Sequence, residues 1–259
     1  MAVSFSGGRV AGAGQGVNLG RWTVTGRALP QGRNKRETEM RVLVVGSSGG
    51  IGAALVRVAE TRGHAVVGLS RSTDGLDVTD EACVRAGLGA LDGVFDVVIA
   101  ATGGLDIAAQ GPEKSLRALE PAAMAAQFAL NAIGPAMVLK HAARLLPRDR
   151  RAVFAGLSAR VGSIGDNRAG GWYSYRAAKA ALNQIVRTGA VELARSHPLL
   201  ACVVLHPGTV QTPLSANYLR RHPSVTADQA AENLWAVING LSSRDTGRFF
   251  DWAGKEVPW

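Results

Sequence analysis

The chain has 259 residues, 47% hydrophobic and 19% charged, with a net charge of +9. That is enough apolar material for a sizeable core in one large domain or two small ones, and the basic residues are spread without a block or interleaved aromatics, which sets nucleic acid aside as a partner. No run reaches the roughly 18 consecutive apolar residues of a bilayer span, residues 1–30 lack the apolar core of a secretory signal, and Cys83 and Cys202 have no CxxC or Cys/His neighbourhood to suggest a metal. The expectation is therefore a soluble cytoplasmic protein with no bound metal and no membrane partner.

Residues 1–39 are rich in Gly, Arg and small residues and show neither period 2 nor period 3.6, so they read as a disordered extension. Six basic residues against Glu37 and Glu39 leave +4 there. Met40 immediately precedes a strand pattern, which makes an upstream mis-start the plain explanation; an Arg-rich organelle presequence is the alternative.

From residue 40 to 259 the pattern is that of one domain. Val42-Leu43-Val44-Val45 is a continuous apolar run, as in a strand buried on both faces of a parallel sheet. It leads into Gly46-Ser47-Ser48-Gly49-Gly50-Ile51-Gly52 and a helix over Ala53–Glu60 closed by Gly63. Strand, glycine turn and helix in that order place backbone N–H groups and a positive helix end against a phosphate. The next strand, Ala65–Leu69, ends at Ser70-Arg71, where a cation suits a ribose 2′-phosphate better than the acid of a NAD-type site. NADP(H) is preferred on that ground, with NAD(H) as the alternative. Leu76 to Asp80 reads as a short strand edge whose Asp77 could meet an adenine, and a helix follows over Glu81–Leu91.

Val94–Ala101 is a further strand pattern, ending in Thr102-Gly103-Gly104, and Pro121–Leu146 is helical with Asn131 among apolar neighbours. A buried amide there needs a partner, which marks Asn131 as a functional candidate. Arg151–Leu157 is the next strand, ending at Ser158, and a loop over Ala159–Gly171 delivers the chain to Trp172-Tyr173-Ser174-Tyr175-Arg176-Ala177-Ala178-Lys179. Tyr175 and Lys179 share a helix face. A phenol titrates near pH 10 unless a nearby cation stabilises its phenolate, so the pair reads as a general acid/base. Leu200–Leu205 is a strand ending in His206-Pro207-Gly208-Thr209-Val210-Gln211-Thr212; a last amphipathic helix runs from Ala227 to Leu241, and Gly247–Trp252 closes the chain as a strand. His206, isolated, reads as structural.

Taken together, Gly46-x-x-x-Gly50-x-Gly52, Asp77, Gly103, Asn131, Tyr175-x-x-x-Lys179 and Pro207-Gly208-x-Val210-x-Thr212 resemble the short-chain dehydrogenases/reductases along the whole of 40–259. Gly162-Ser163-Ile164, Gly171 to Arg176 and Gly247 to Trp252 are similar to the C-factor group, itself close to the sniffer-type carbonyl reductases. The resemblance implies a three-layer α/β/α Rossmann domain with a doubly wound parallel sheet of about seven strands. It also implies carbonyl reduction or its reverse: Tyr175 protonates the carbonyl oxygen, Lys179 holds the ribose and lowers the phenol pKa, and Asn131 positions a relay water. Gly46, Ser48, Gly50, Ile51, Gly52, Ser70, Arg71, Asp77, Val78, Gly103, Tyr175, Lys179, Pro207, Gly208, Val210 and Thr212 would contact the cofactor. The substrate would be a small carbonyl compound, and a homodimer is the assembly such chains often form.

One position departs from the family. A serine that usually follows the one at Ser158 and holds the substrate carbonyl is here Ala159, whose methyl cannot donate a hydrogen bond. Ser163 and Ser158 are the candidate replacements. The departure keeps open a second reading, a dinucleotide-binding signalling or sensor protein of C-factor type with little turnover.

Overall fold

The structure, a computed structural model, describes residues 39–107, 111–221 and 223–259. The expected disorder or presequence over 1–39 lies, apart from Glu39, outside those residues. Six strands form one parallel sheet: β1 (Arg41–Val45), β2 (Ala65–Leu69), β3 (Val97–Ala100), β4 (Ala152–Leu157), β5 (Leu200–His206) and, numbered after two short strands described below, β8 (Phe249–Asp251), in the order β2-β1-β3-β4-β5-β8. The helices are α1 (Gly50–Thr61), α2 (Arg71–Asp74), α3 (Glu81–Gly89), α4 (Pro121–Phe128), α5 (Gly134–Ala142), α6 (Tyr173–Leu193) and α7 (Ala227–Gly240).

The two-residue period of the strands explains the apolar runs. In β1, Val42 and Val44 join one core with Leu55 of α1 and Leu234 and Trp235 of α7. Leu43 and Val45 face the other way, into a core with Val84 and Leu88 of α3, Val138 of α5 and Leu182 and Val186 of α6. Both faces are covered from Val42 to Val45, and those four residues are apolar; Arg41, at the half-buried start of the strand, is the polar one. The α/β/α layering follows, and the strand order reverses between β1 and β3, whose carboxyl ends flank the crevice where such sheets bind ligands.

Three expectations are corrected. The main sheet has six strands rather than about seven, because 76–80 is not a strand. The Asp77 carboxylate there accepts from the Thr79 amide at 2.9 Å and its hydroxyl at 2.6 Å, and Asp80 caps α3, so the backbone turns instead of extending. The first helix begins at Gly50 rather than Ala53, inside the glycine loop. Finally, 121–145 is one continuous helical run, and an 18-residue window in it with a mean hydropathy of 1.5 makes it long and apolar enough to span a bilayer by length and composition. Gln127 and Asn131 interrupt it, so no uninterrupted apolar run announces it. Here the run packs along α6.

Within that run the hydrogen-bonding step widens to a π-turn over Ala129–Ile133, around Asn131. Such turns open the backbone locally and are common at functional sites. Two short parallel strands, β6 (Val210–Gln211) and β7 (Val225–Thr226), pair at the two ends of 212–224 and clamp that excursion beside the sheet's carboxyl edge.

Candidate active site

The phosphate-binding expectation meets a helix end built to receive an anion. Gly49, at the N-cap of α1, makes no side-chain capping bond, and the first turn contains no acid. Its N–H groups and positive end are therefore uncompensated by the protein, and Ser48, Gly49 and Gly50 are exposed. The turn is tight. A Cβ at Gly52 would lie 2.1 Å from the Gly46 carbonyl oxygen, and one at Gly50 would lie 2.6 Å from Thr212 Cγ2, so the loop closes against the Pro207–Thr212 segment. Ile51, half-buried, packs beneath it on the α1/α7 core.

Along the crevice, Ser70 caps α2 and Arg71, exposed, opens it, while the Asp74 carboxylate is occupied by the Ser70 amide at 2.7 Å and the Thr73 hydroxyl at 2.6 Å. The Thr79 hydroxyl and amide hold the Asp77 carboxyl below its usual pKa, against a smaller opposing effect of burial. Val78 is buried on Gly134, at the end of the π-turn. Thr102, at the end of β3, keeps its Oγ1 buried without a partner among the described residues, the kind of polar atom a bound ligand satisfies. The bare helix end, the glycine cradle and this orphan hydroxyl together fit a dinucleotide.

The reacting groups converge at the next strand ends. A Cβ at Gly103 would lie 2.9 Å from Asn131 Oδ1 and 3.3 Å from Lys179 Nζ, which puts the three residues together. Asn131 is fully buried and tied down: its Nδ2 donates to the Gly104 carbonyl at 2.9 Å and to Gln127 Oε1 at 2.7 Å, and its Oδ1 accepts from the Gly104 amide at 3.1 Å. Gln127, four residues earlier on the same face, in turn donates to the Leu105 carbonyl at 2.6 Å. Gln127 was not foreseen, although an amide four residues before Asn131 in an apolar helix was a signal available in the sequence.

Tyr175 and Lys179 are both buried on α6, and Lys179 Nζ sits 5.8 Å from the centroid of the tyrosine ring. Nζ donates to the Leu157 carbonyl at 2.9 Å, at the end of β4. Burial lowers the Lys179 pKa to about 8 and pushes the Tyr175 phenol above its ordinary value. Burial thus pushes the phenol in the direction opposite to the depression expected from Lys179. A neutral phenol is a proton donor, the form carbonyl reduction requires.

Of the two candidate serines, Ser158 is buried with its hydroxyl donating to Asn183 Oδ1 at 2.6 Å, and Ser163 is buried with its Oγ accepting from the Asp166 amide at 3.1 Å. Ala159 stands half-buried between β4 and the turn over Arg160–Gly162. Pro207 and Gly208 lead from β5 into β6, where Val210 is buried. His206 keeps Nδ1 buried without a partner among the described residues, and burial lowers its pKa to about 4, leaving it neutral.

A cavity of about 530 Å³ opens beside this centre, lined by Ile107, Pro112, Glu113, Gln127, Trp172 and Tyr218 among others. The Glu113 carboxylate accepts from the Ser174 amide and hydroxyl, and its carbonyl accepts from the Trp172 amide at 2.6 Å, so this acid caps the amino end of α6 from outside the helix. Burial would raise its pKa, but the hydrogen bonds outweigh that and hold it low.

A profile of the short chain dehydrogenase family matches residues 40–222. The chain is 38% identical over 141 residues to C-signal of Myxococcus xanthus, spanning 52% of this chain and 78% of that protein. It is 31% identical over 238 residues to the 1-hydroxy-2-glutathionyl-2-methyl-3-butene dehydrogenase of Rhodococcus sp. (strain AD45), spanning 84% of this chain and 99% of that one. A Burkholderia multivorans protein assigned to the short-chain dehydrogenases/reductases and solved with bound NADP superposes with a TM-score of 0.70 at 25% identity, over 85% of this chain and 100% of that one.

Proposed function

This chain belongs to the short-chain dehydrogenase family of oxidoreductases, and from that premise we propose that it reduces a carbonyl compound to an alcohol with NADPH, with Tyr175 as the general acid. The observation that carries the reading is the meeting of Tyr175, Lys179, Asn131 and Gly103 at the strand ends, one crevice away from an uncapped helix terminus. The dinucleotide supplies the hydride. The uncapped end of α1, with Gly46, Ser48, Gly50, Ile51 and Gly52, would hold its pyrophosphate; Ser70, Arg71, Asp77 and Val78 would border the adenosine end, and Gly103, Pro207, Gly208, Val210 and Thr212 the other.

Tyr175 donates its proton to the oxygen as negative charge develops there, and the Lys179 ammonium stabilises the phenolate left behind. Asn131, held by the Gly104 and Gln127 bonds, keeps the π-turn open beside Lys179, where a water can return a proton to the pair. The NADP-bound relative supports the choice of cofactor.

Arg71 supports it as well. Replacing Arg71 with Ala should cut the preference for NADPH over NADH about tenfold to a hundredfold, the worth of one charge-assisted contact to a phosphate. Titrating both nucleotides against the variant checks this, and an unchanged ratio removes Arg71 from the site.

The pH profile has a definite sign. The Lys179 pKa of about 8 and a phenol that stays protonated mean that kcat/KM for NADPH, which reports the free enzyme, falls as pH rises through about 8. A profile flat to about pH 10, the ordinary lysine range, would contradict the lowered pKa of Lys179.

A second reading rests on Ala159 and on the identity with C-signal: a nucleotide-binding signalling protein with little turnover. The fixed Asn131–Tyr175–Lys179 set favours the enzyme, because binding alone needs no proton donor.

A further inference from the structure

Gly170, Gly171 and Trp172 have φ of +62, +65 and +54°, three successive left-handed residues leading into α6. Glycine occupies the first two, where the conformation costs nothing. The third holds tryptophan, the one described non-glycine residue with positive φ, and an indole there is retained against backbone strain. Its ring lies edge-on to Tyr175 at 6.1 Å and to Tyr218 at 5.2 Å. Tyr218 belongs to the turn over Ala216–Arg221, lines the cavity, and donates its hydroxyl to Asp106 Oδ1 at 2.8 Å. Burial first, then Asp106, raises the Tyr218 pKa to about 12, so it stays a donor.

Resting on the carbonyl-reductase reading, we propose that Trp172 is the specificity-determining wall of the substrate cavity, and that the Tyr218–Asp106 bond holds the turn over Ala216–Arg221 against it, selecting carbonyl compounds with a ring-sized apolar group. The strained backbone aims the indole between the proton donor and Tyr218. The cavity of about 530 Å³ is far larger than a three-carbon ketone requires. Ile107, Pro112 and Ala123 add apolar surface; of the two charged residues in the lining, the Glu113 carboxylate is occupied by Ser174 and Lys114 is exposed. Edge-on aromatic walls suit a flat ring.

The test measures binding of acetophenone and of acetone to the full chain with NADPH present, for wild type, Trp172→Gly and Tyr218→Phe. Glycine keeps the left-handed turn and deletes only the indole; phenylalanine keeps the ring and deletes only the bond to Asp106. Acetophenone should bind at least about tenfold tighter than acetone in wild type, with the preference lost in Trp172→Gly and reduced several-fold in Tyr218→Phe. A general loosening of the fold would weaken both ligands alike and leave the ratio in place. A preference absent from wild type, or surviving in Trp172→Gly, overturns the proposal. Turnover of carbonyls without any ring preference sinks this inference alone, whereas Trp172-dependent acetophenone binding without turnover supports it and counts against the reductase reading.

Discussion

Tyr175→Phe is expected to lower NADPH-dependent carbonyl reduction by about 10²- to 10⁴-fold, the span typical of removing a positioned proton donor. The substitution is conservative where it matters. Tyr175 is buried, its ring packs against Trp172 at 6.1 Å and lies under Lys179, and phenylalanine keeps those contacts while deleting only the oxygen. NADPH affinity should stay close to wild type, because the glycine loop and the uncapped end of α1 are untouched. Steady-state rates with parallel nucleotide titration check both halves. A variant that binds NADPH and still turns over at the wild-type rate would remove Tyr175 from the mechanism.

The second large effect has the opposite sign. Ala159→Ser is expected to raise turnover, by up to about 10²-fold, since one hydrogen-bond donor to a developing oxyanion is worth about that much. Ala159 has extended backbone, φ −141° and ψ 146°, that a serine adopts without strain. Of its neighbours, Ser158 has its proton committed to Asn183 at 2.6 Å, whereas Ser163 accepts from the Asp166 amide and keeps its own proton. Turnover unchanged in Ala159→Ser would show that another group, with Ser163 the first to examine, already holds the substrate oxygen. Appearance of activity only in the variant would instead favour the signalling reading for the natural chain.

Much of this was legible in the sequence because it is local. Val42 to Val45 had to be a two-sided strand, since every residue of it is apolar, and the glycine spacing after it required a close turn into a helix. The four-residue spacing of Tyr175 and Lys179 put both on one helix face, and both are buried on α6. What could not be read depends on distant partners. The Asp77–Thr79 turn competes with a strand through side-chain bonds that pattern does not register. Glu113 acts on α6 from 61 residues away, and Gln127 acquires meaning only once Asn131 is seen to bind it. The direction of the Tyr175 shift was out of reach for the same reason: helix spacing shows Lys179 nearby but not how deeply both groups are buried. The left-handed Trp172 is another such feature. Two glycines before it suggest a turn, yet nothing in residue type says that the turn continues through the indole.

The most direct measurement of the central claim is hydride transfer itself. The full chain is incubated with NADPH deuterated at nicotinamide C4, on either face in turn, and with ring-bearing ketones and aldehydes, and the alcohol is analysed by mass spectrometry. The account predicts that one of the two labelled cofactors delivers deuterium to the carbinol carbon, in wild type and more rapidly in Ala159→Ser, with transfer suppressed in Tyr175→Phe. NADPH bound at the glycine loop with no deuterated alcohol formed by either wild type or Ala159→Ser would contradict it.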